Sequence, residues 1–184
     1  MSELVEKALM DFKSLCVELI PIKYAKEEIL DYVLGLGISD CIVQLVRHEL
    51  IIDELQVKVA SYNTFKAFER GTNRARKVSV EFLLNLTCKT QIRDAIRASA
   101  PKLGDYAFVI ISCKNRGSLN QLRTKIRHDL RDYIAREFKR DKAKVIEFVK
   151  KFYRLRNVKC SLNDDRLCTL FSVLSKIALH PYRK

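Results

Sequence analysis

Glycine is scarce in this 184-residue chain, and the five glycines at 35, 37, 71, 104 and 117 never reach G-x-G-x-x-G or Walker spacing. No glycine-rich loop for a nucleotide phosphate is therefore encoded. A G-x-S-x-G nucleophile elbow is missing too. No apolar run reaches about 18 residues, which excludes a membrane-spanning helix. The opening MSELVEKALMDF mixes charge into its apolar positions, where a signal peptide has an uninterrupted apolar region. These features predict a cytoplasmic protein. Internal repeats, low-complexity tracts and an inter-domain linker are lacking as well.

Six cysteines, at 16, 41, 88, 113, 160 and 168, form no C-x-x-C pair, and His48, His128 and His180 are equally scattered. A zinc site usually draws two ligands from one short turn, so no metal or other cofactor is expected. Cys16, Cys41 and Cys113 lie in apolar runs and read as small buried apolar groups. A disulfide would require an oxidising compartment or a hyperthermophilic host, and the sequence leaves those two open. Lone serines and cysteines have no positioned base beside them. Glu27 with Glu28, Asp53 with Glu54, and Asp164 with Asp165 suit helix N-termini better than a general acid and base. The chain reads as a binding module, not an enzyme.

What the chain does have is cations, unevenly placed. Residues 114–159 hold sixteen Lys or Arg against five Asp or Glu, whereas residues 1–60 hold six against eleven. Arg123, Arg127 and Arg131 recur at i+4 over a predicted helix from Leu119 to Arg140. Like charges at that spacing repel by about 0.2–0.5 kcal/mol per pair. An anionic partner would relieve the repulsion, and counterion release from a phosphate backbone supplies such a gain.

Periodicity predicts helices over Leu4–Leu15 and Lys26–Leu36, and strands over Cys16–Ile22 and Cys41–Val46. Leu55, Val59 and Tyr62 place apolar groups on one face of a helix that stops near Gly71. Ser79 is the expected N-cap of the next helix, with Val80, Leu83 and Leu84 inward. Thr90 or Gln91 opens a third that carries Ile92, Ala95 and Ile96. Asp105–Cys113, DYAFVIISC, suits a strand buried on both faces. Ser118 is expected to cap a long helical region toward Tyr153, broken near Arg140 and Asp141, and Asn163 to cap the last helix. The fold class is α/β (α+β): a compact single domain over residues 1–184, with a small mixed sheet flanked by many helices and a basic helical segment at 114–159.

The stretch NTFKAFERGTNRARKVSVEFLLNLTCKTQIRDAI from Asn63 to Ile96, then FVKKFYRL, then SVLSKIAL near the C-terminus, cover most of the chain from about Cys41 onward. In order and spacing they resemble the family of the smallest KEOPS subunit, the PRPK-binding (TPRKB-like) proteins. Segment 114–159 departs from the family in being more basic. The resemblance implies a protein without chemistry of its own, which binds the small KEOPS protein kinase and the single-stranded 3′ end of tRNA. Another subunit then forms threonylcarbamoyladenosine beside the anticodon. Carried over by position, the tRNA end falls at Lys66, Arg70, Asn73, Arg74, Arg76 and Lys77, with Lys89, Thr90, Gln91 and Arg93 on the opposite lip. N-capping is the alternative role for Thr90 and Gln91, and core packing for Phe65 and Phe68. The kinase falls on Val173, Leu174, Ile177 and Leu179 of the last helix, whose alternative role is to pack in the chain's own core. A stand-alone basic RNA-binding protein without a kinase partner is the rival reading.

Overall fold

The computed structural model describes residues 3–37, 40–156 and 164–182. Among these, eight α-helices and three strands follow the order α1 (Glu3–Ser14), β1 (Cys16–Lys23), α2 (Glu28–Gly35), β2 (Cys41–Arg47), α3 (Glu54–Glu69), α4 (Val78–Thr87), α5 (Ile92–Ser99), β3 (Tyr106–Cys113), α6 (Arg116–Asp129), α7 (Lys142–Phe152) and α8 (Asp165–Leu179). The α+β class is as expected. The sheet, expected to be mixed, is antiparallel in both pairings, with strand order β1-β3-β2. No helix among the described residues is long and apolar enough to cross a membrane.

Alternation along the strands produces two cores, because successive side chains point to opposite faces. Phe108 and Ile110 of β3, with Ile42 and Val46 of β2, meet α3, α4, α7 and α8 on one face. Val109, Ile111, Ile20, Ile22 and Leu45 meet α2 and α6 on the other. The basic segment 114–159 is thereby divided, with α6 on one side of the sheet and α7 on the other. Pro21 is tolerated in β1 because that strand is an edge. Its outer side is covered by residues 133–135, where Lys23 N–H donates to the Tyr133 carbonyl and Ala135 N–H to that of Pro21.

Several helix ends differ from expectation. Lys77, not Ser79, takes the N-cap of α4, and Asn115, not Ser118, takes that of α6, accepting from the Ser118 N–H at 2.8 Å. An Asn side chain three residues ahead competes better for that amide than a serine within the first turn. Helix α6 ends at Asp129, so Arg131 is off the helix and the i+4 arginine run stops at Arg127. Asn163 and Cys160 lie outside the described residues; Asp164 caps α8, accepting from the Leu167 N–H at 3.0 Å. Helix α3 buries Gln56, Val57, Ala60, Ser61, Thr64 and Phe65, while Leu55 is exposed. Two of the polar members are matched: Gln56 accepts from the Ile52 N–H and donates to the Leu50 carbonyl and the Tyr153 hydroxyl, and Thr64 donates to the Ala60 carbonyl, while the Ser61 hydroxyl has no partner among the described residues.

The free-thiol reading of Cys41 and Cys113 is corrected. They sit directly opposite each other on β2 and β3, with Cα atoms 4.1 Å apart, and form a disulfide. Cys168 is disulfide-bonded as well. Cys16 is a free thiol, facing Cys113 from the other neighbouring strand. The Cys41–Cys113 bridge closes a loop of 72 residues and so constrains the unfolded chain strongly. Replacing both residues with alanine should lower stability by roughly 2–4 kcal/mol in denaturant unfolding; an unchanged midpoint would contradict a stabilising role for the bridge.

Candidate functional site

The joint between α3 and α4 is built around one buried carboxylate. Gly71, at φ +65°, lets the chain leave α3 through the left-handed region. Asn73 Nδ2 then donates to the Ala75 carbonyl at 3.1 Å. Glu81, 1% exposed, reaches back from the first turn of α4. Its Oε2 accepts the backbone N–H groups of Arg74 and Ala75 at 2.8 and 2.9 Å. Its Oε1 pairs with the Arg74 guanidinium at 3.1 Å. Arg74 Nη1 lies 2.9 Å from His180 Nε2, which is 3.1 Å from the Lys89 carbonyl. Arg74 therefore helps to hold the joint, with about a third of its side chain left exposed.

Lys66 is committed too, pairing with Asp11 at 2.7 Å and Glu69 at 2.8 Å. These two carboxylates raise its pKa, since they favour the charged ammonium. The exposed cations here with no carboxylate partner among the described residues are Arg70, at the end of α3, with Arg76 and Lys77 at the start of α4. Cations at a helix N-terminus oppose the helix dipole, and an anion placed there relieves the conflict.

Helix α4 is ten residues long, about 15 Å at 1.5 Å per residue, and a second cationic region lies at its far end. Cys88 closes the helix in the left-handed conformation, φ 53°. Tyr153, 4% exposed, pins the end of α7 against it by donating its hydroxyl to the Leu86 carbonyl. Burial raises the pKa of that hydroxyl well above its usual value, which keeps it a donor. Beside this anchor is a cavity of about 270 Å³, lined by Thr87, Lys89, Phe152, Arg154 and Lys176 among others, with no acidic residue in its lining. Lys89 Nζ stands 5.6 Å from the Phe152 ring centroid. Phe152 stacks on Phe148 at 5.9 Å and 25°. Phe152, Arg154 and Lys176 are not among the residues expected from the sequence, although FVKKFYRL interleaves aromatic and basic groups. Thr90, Gln91 and Arg93 are exposed just beyond Lys89. Gln91 holds the N-cap position of α5 without a side-chain capping bond.

A third feature is apolar. Leu30 and Leu34 of α2, Leu45 of β2, Val80 and Leu83 of α4 and Ile96 of α5 line a groove of about 160 Å³ along the β2 edge. Leu34 and Ile96 are 47% and 45% exposed, and Ile92 and Leu103 add exposed apolar surface in the neighbouring segments. The residues nominated on α8 divide. Val173 and Ile177 are fully buried in the core with α3 and α4, Leu174 is partly buried and Leu179 is exposed. Val173 and Ile177 thus belong to the core, a correction to their placement in a docking face. A helix apolar on most sides gives no sign of which side the fold will use.

A family model described as "Kinase binding protein CGI-121" matches residues 24–180, from the end of β1 to the turn after α8. No curated protein matches the chain.

The Arg74–Glu81 pair generates a stability prediction. Arg74→Ala leaves a buried carboxylate without its cation. The loss should be about 3 kcal/mol in urea unfolding, at the low end for a buried pair because a third of the Arg74 side chain is exposed. Arg70→Ala, on an exposed position, should change stability by no more than about 0.5 kcal/mol. Equal effects of the two substitutions would contradict the structural role assigned to Arg74.

Proposed function

The chain belongs to the CGI-121 family of kinase-binding proteins, and from that premise we propose that it is a non-catalytic subunit of the KEOPS tRNA-modification assembly, joining the KEOPS kinase to the 3′ end of tRNA. The observation that carries the RNA part is the cleft at the far end of α4, where Lys89, Arg154 and Lys176 surround the stacked Phe152 ring and no carboxylate lines the wall. Cations that track a backbone, together with an aromatic face, are what single-stranded nucleic acid requires; stacking on such a ring is worth about 1–3 kcal/mol per base. Thr90, Gln91 and Arg93 extend the path from the cleft, and Arg70, Arg76 and Lys77 offer phosphate contacts at the start of α4. The duty of such a subunit is positional, and threonylcarbamoyl transfer belongs to another member of the assembly.

The kinase is assigned to the apolar groove between α2 and α5. The half-exposed Leu34 and Ile96 beside a concave apolar wall can be buried by a partner without unfolding anything, which Val173 and Ile177 cannot. This groove also favours the kinase-linked reading over a stand-alone RNA-binding protein, which has no use for it.

Binding of intact tRNA, and of tRNA trimmed of its single-stranded 3′ end, tests the RNA part. Trimming should cost at least tenfold in affinity, and Lys176→Glu should cost a similar factor on intact tRNA alone. Each lost phosphate contact should lower the slope of log affinity on log salt by roughly 0.7. Equal affinity for both tRNA forms would refute the 3′-end assignment. For the kinase, Ile96→Glu should abolish capture at an unchanged melting temperature, because a charge would be forced into a desolvated interface. Kinase capture at wild-type strength would return the docking site to α8, where Leu179→Glu is the corresponding test.

A further inference from the structure

Helix α6 carries a feature that neither the cleft nor the groove uses. Leu119, Leu122 and Ile126 bury its inner face against the sheet. Asn120, Gln121, Thr124, Lys125 and His128, at i, i+1, i+4, i+5 and i+8, form the outer face and line a shallow depression of about 750 Å³. All five are exposed. From Arg116 to His128 there is no acidic residue. Asp129 lines the depression as well, at the C-terminal end of the helix, where it accepts from the Tyr32 hydroxyl at 2.7 Å and pairs with Lys125 at 2.9 Å. Arg116 and Arg123 have no acidic partner among the described residues, while Arg127 meets Glu18 at 3.0 Å.

A helix face that merely meets water is commonly laced with Glu–Lys pairs. Here such a pair, Lys125 with Asp129, closes the C-terminal end, and the rest of the face combines uncharged groups that both donate and accept with flanking cations. We infer that the outer face of α6 is a second RNA contact, which takes the groove edge and phosphate backbone of a double-stranded segment. A-form RNA offers a wide, shallow minor groove that displays 2′-hydroxyls, suited to the Asn120, Gln121 and Thr124 side chains. Its bordering phosphates suit Arg116 and Arg123. An acidic protein surface would call for the cations but leave the amides without a role. The inference rests on reading the chain as RNA-binding, yet it concerns the opposite side of the sheet from the cleft, so the two surfaces can be tested apart.

Fluorescence anisotropy with three probes decides it: a blunt RNA duplex of two helical turns, the DNA duplex of the same sequence, and a short single-stranded RNA. The wild-type chain should bind the RNA duplex at least fivefold more tightly than the DNA duplex. Gln121→Glu combined with Arg123→Glu should weaken RNA-duplex binding tenfold or more, with single-strand affinity unchanged. Thr124→Ala, which removes a hydroxyl and alters no charge, should reduce the preference for RNA over DNA. Failure of the single strand to bind, with the duplex effects intact, would sink the cleft assignment and leave this one standing. Duplex affinity within twofold of wild type in the double variant, equal binding of the RNA and DNA duplexes, or parallel loss on duplex and single strand would each overturn it.

Discussion

The constraint on which the rest of the molecule depends is the middle strand. From Ala107 to Cys113 β3 is buried, and it is paired along both edges. A strand buried on both faces must be covered twice. The helices therefore segregate, with α3, α4, α7 and α8 on one side and α2 and α6 on the other. The excess of cations between residues 114 and 159 is in consequence not one surface. Part of it, Arg154 just after α7, lines the cleft at the far end of α4, part stands on α6 behind the sheet, and part is neutralised by Glu18, Asp129, Asp141 and Asp165.

Within that frame two polar knots fix the site. Glu81 collects the backbone and guanidinium of Arg74 and so shapes the α3–α4 joint. Tyr153 ties the end of α7 to the end of α4, and Gln56 holds the tyrosine in turn. Both knots are buried, where a group left without its partner costs far more than the bond contributes when made. They convert three separate helix ends into one rigid wall, on which Lys89, Arg154 and Lys176 are displayed.

Elements set by apolar periodicity were legible from sequence: the three strands, and the helices that carry Leu83, Ile96 and Leu170. The family was legible from its ordered motifs, and the CGI-121 match agrees with it. What escaped has a physical pattern. Helix α3 buries Gln56, Ser61 and Thr64, so its inward face did not coincide with its apolar residues. Nothing local showed that Arg74 is paired, because its buried partner Glu81 is seven residues away, and a charge says nothing by itself about whether it is already paired. The Cys41–Cys113 bridge joins residues that only strand register brings together. Phe152, Arg154 and Lys176 converge from two helices, a juxtaposition that no local spacing records.

On the proposed assignments, two partners occupy two different walls of the same small domain. Hydrogen exchange of the chain with tRNA, with the kinase, and with both together tests it directly. RNA should slow exchange at 86–90 and 151–155, the kinase should slow it in α2 and at 96–103, and both sets should stay protected in the ternary mixture. Protection of one shared segment by either partner, lost to the other on mixing, would contradict it.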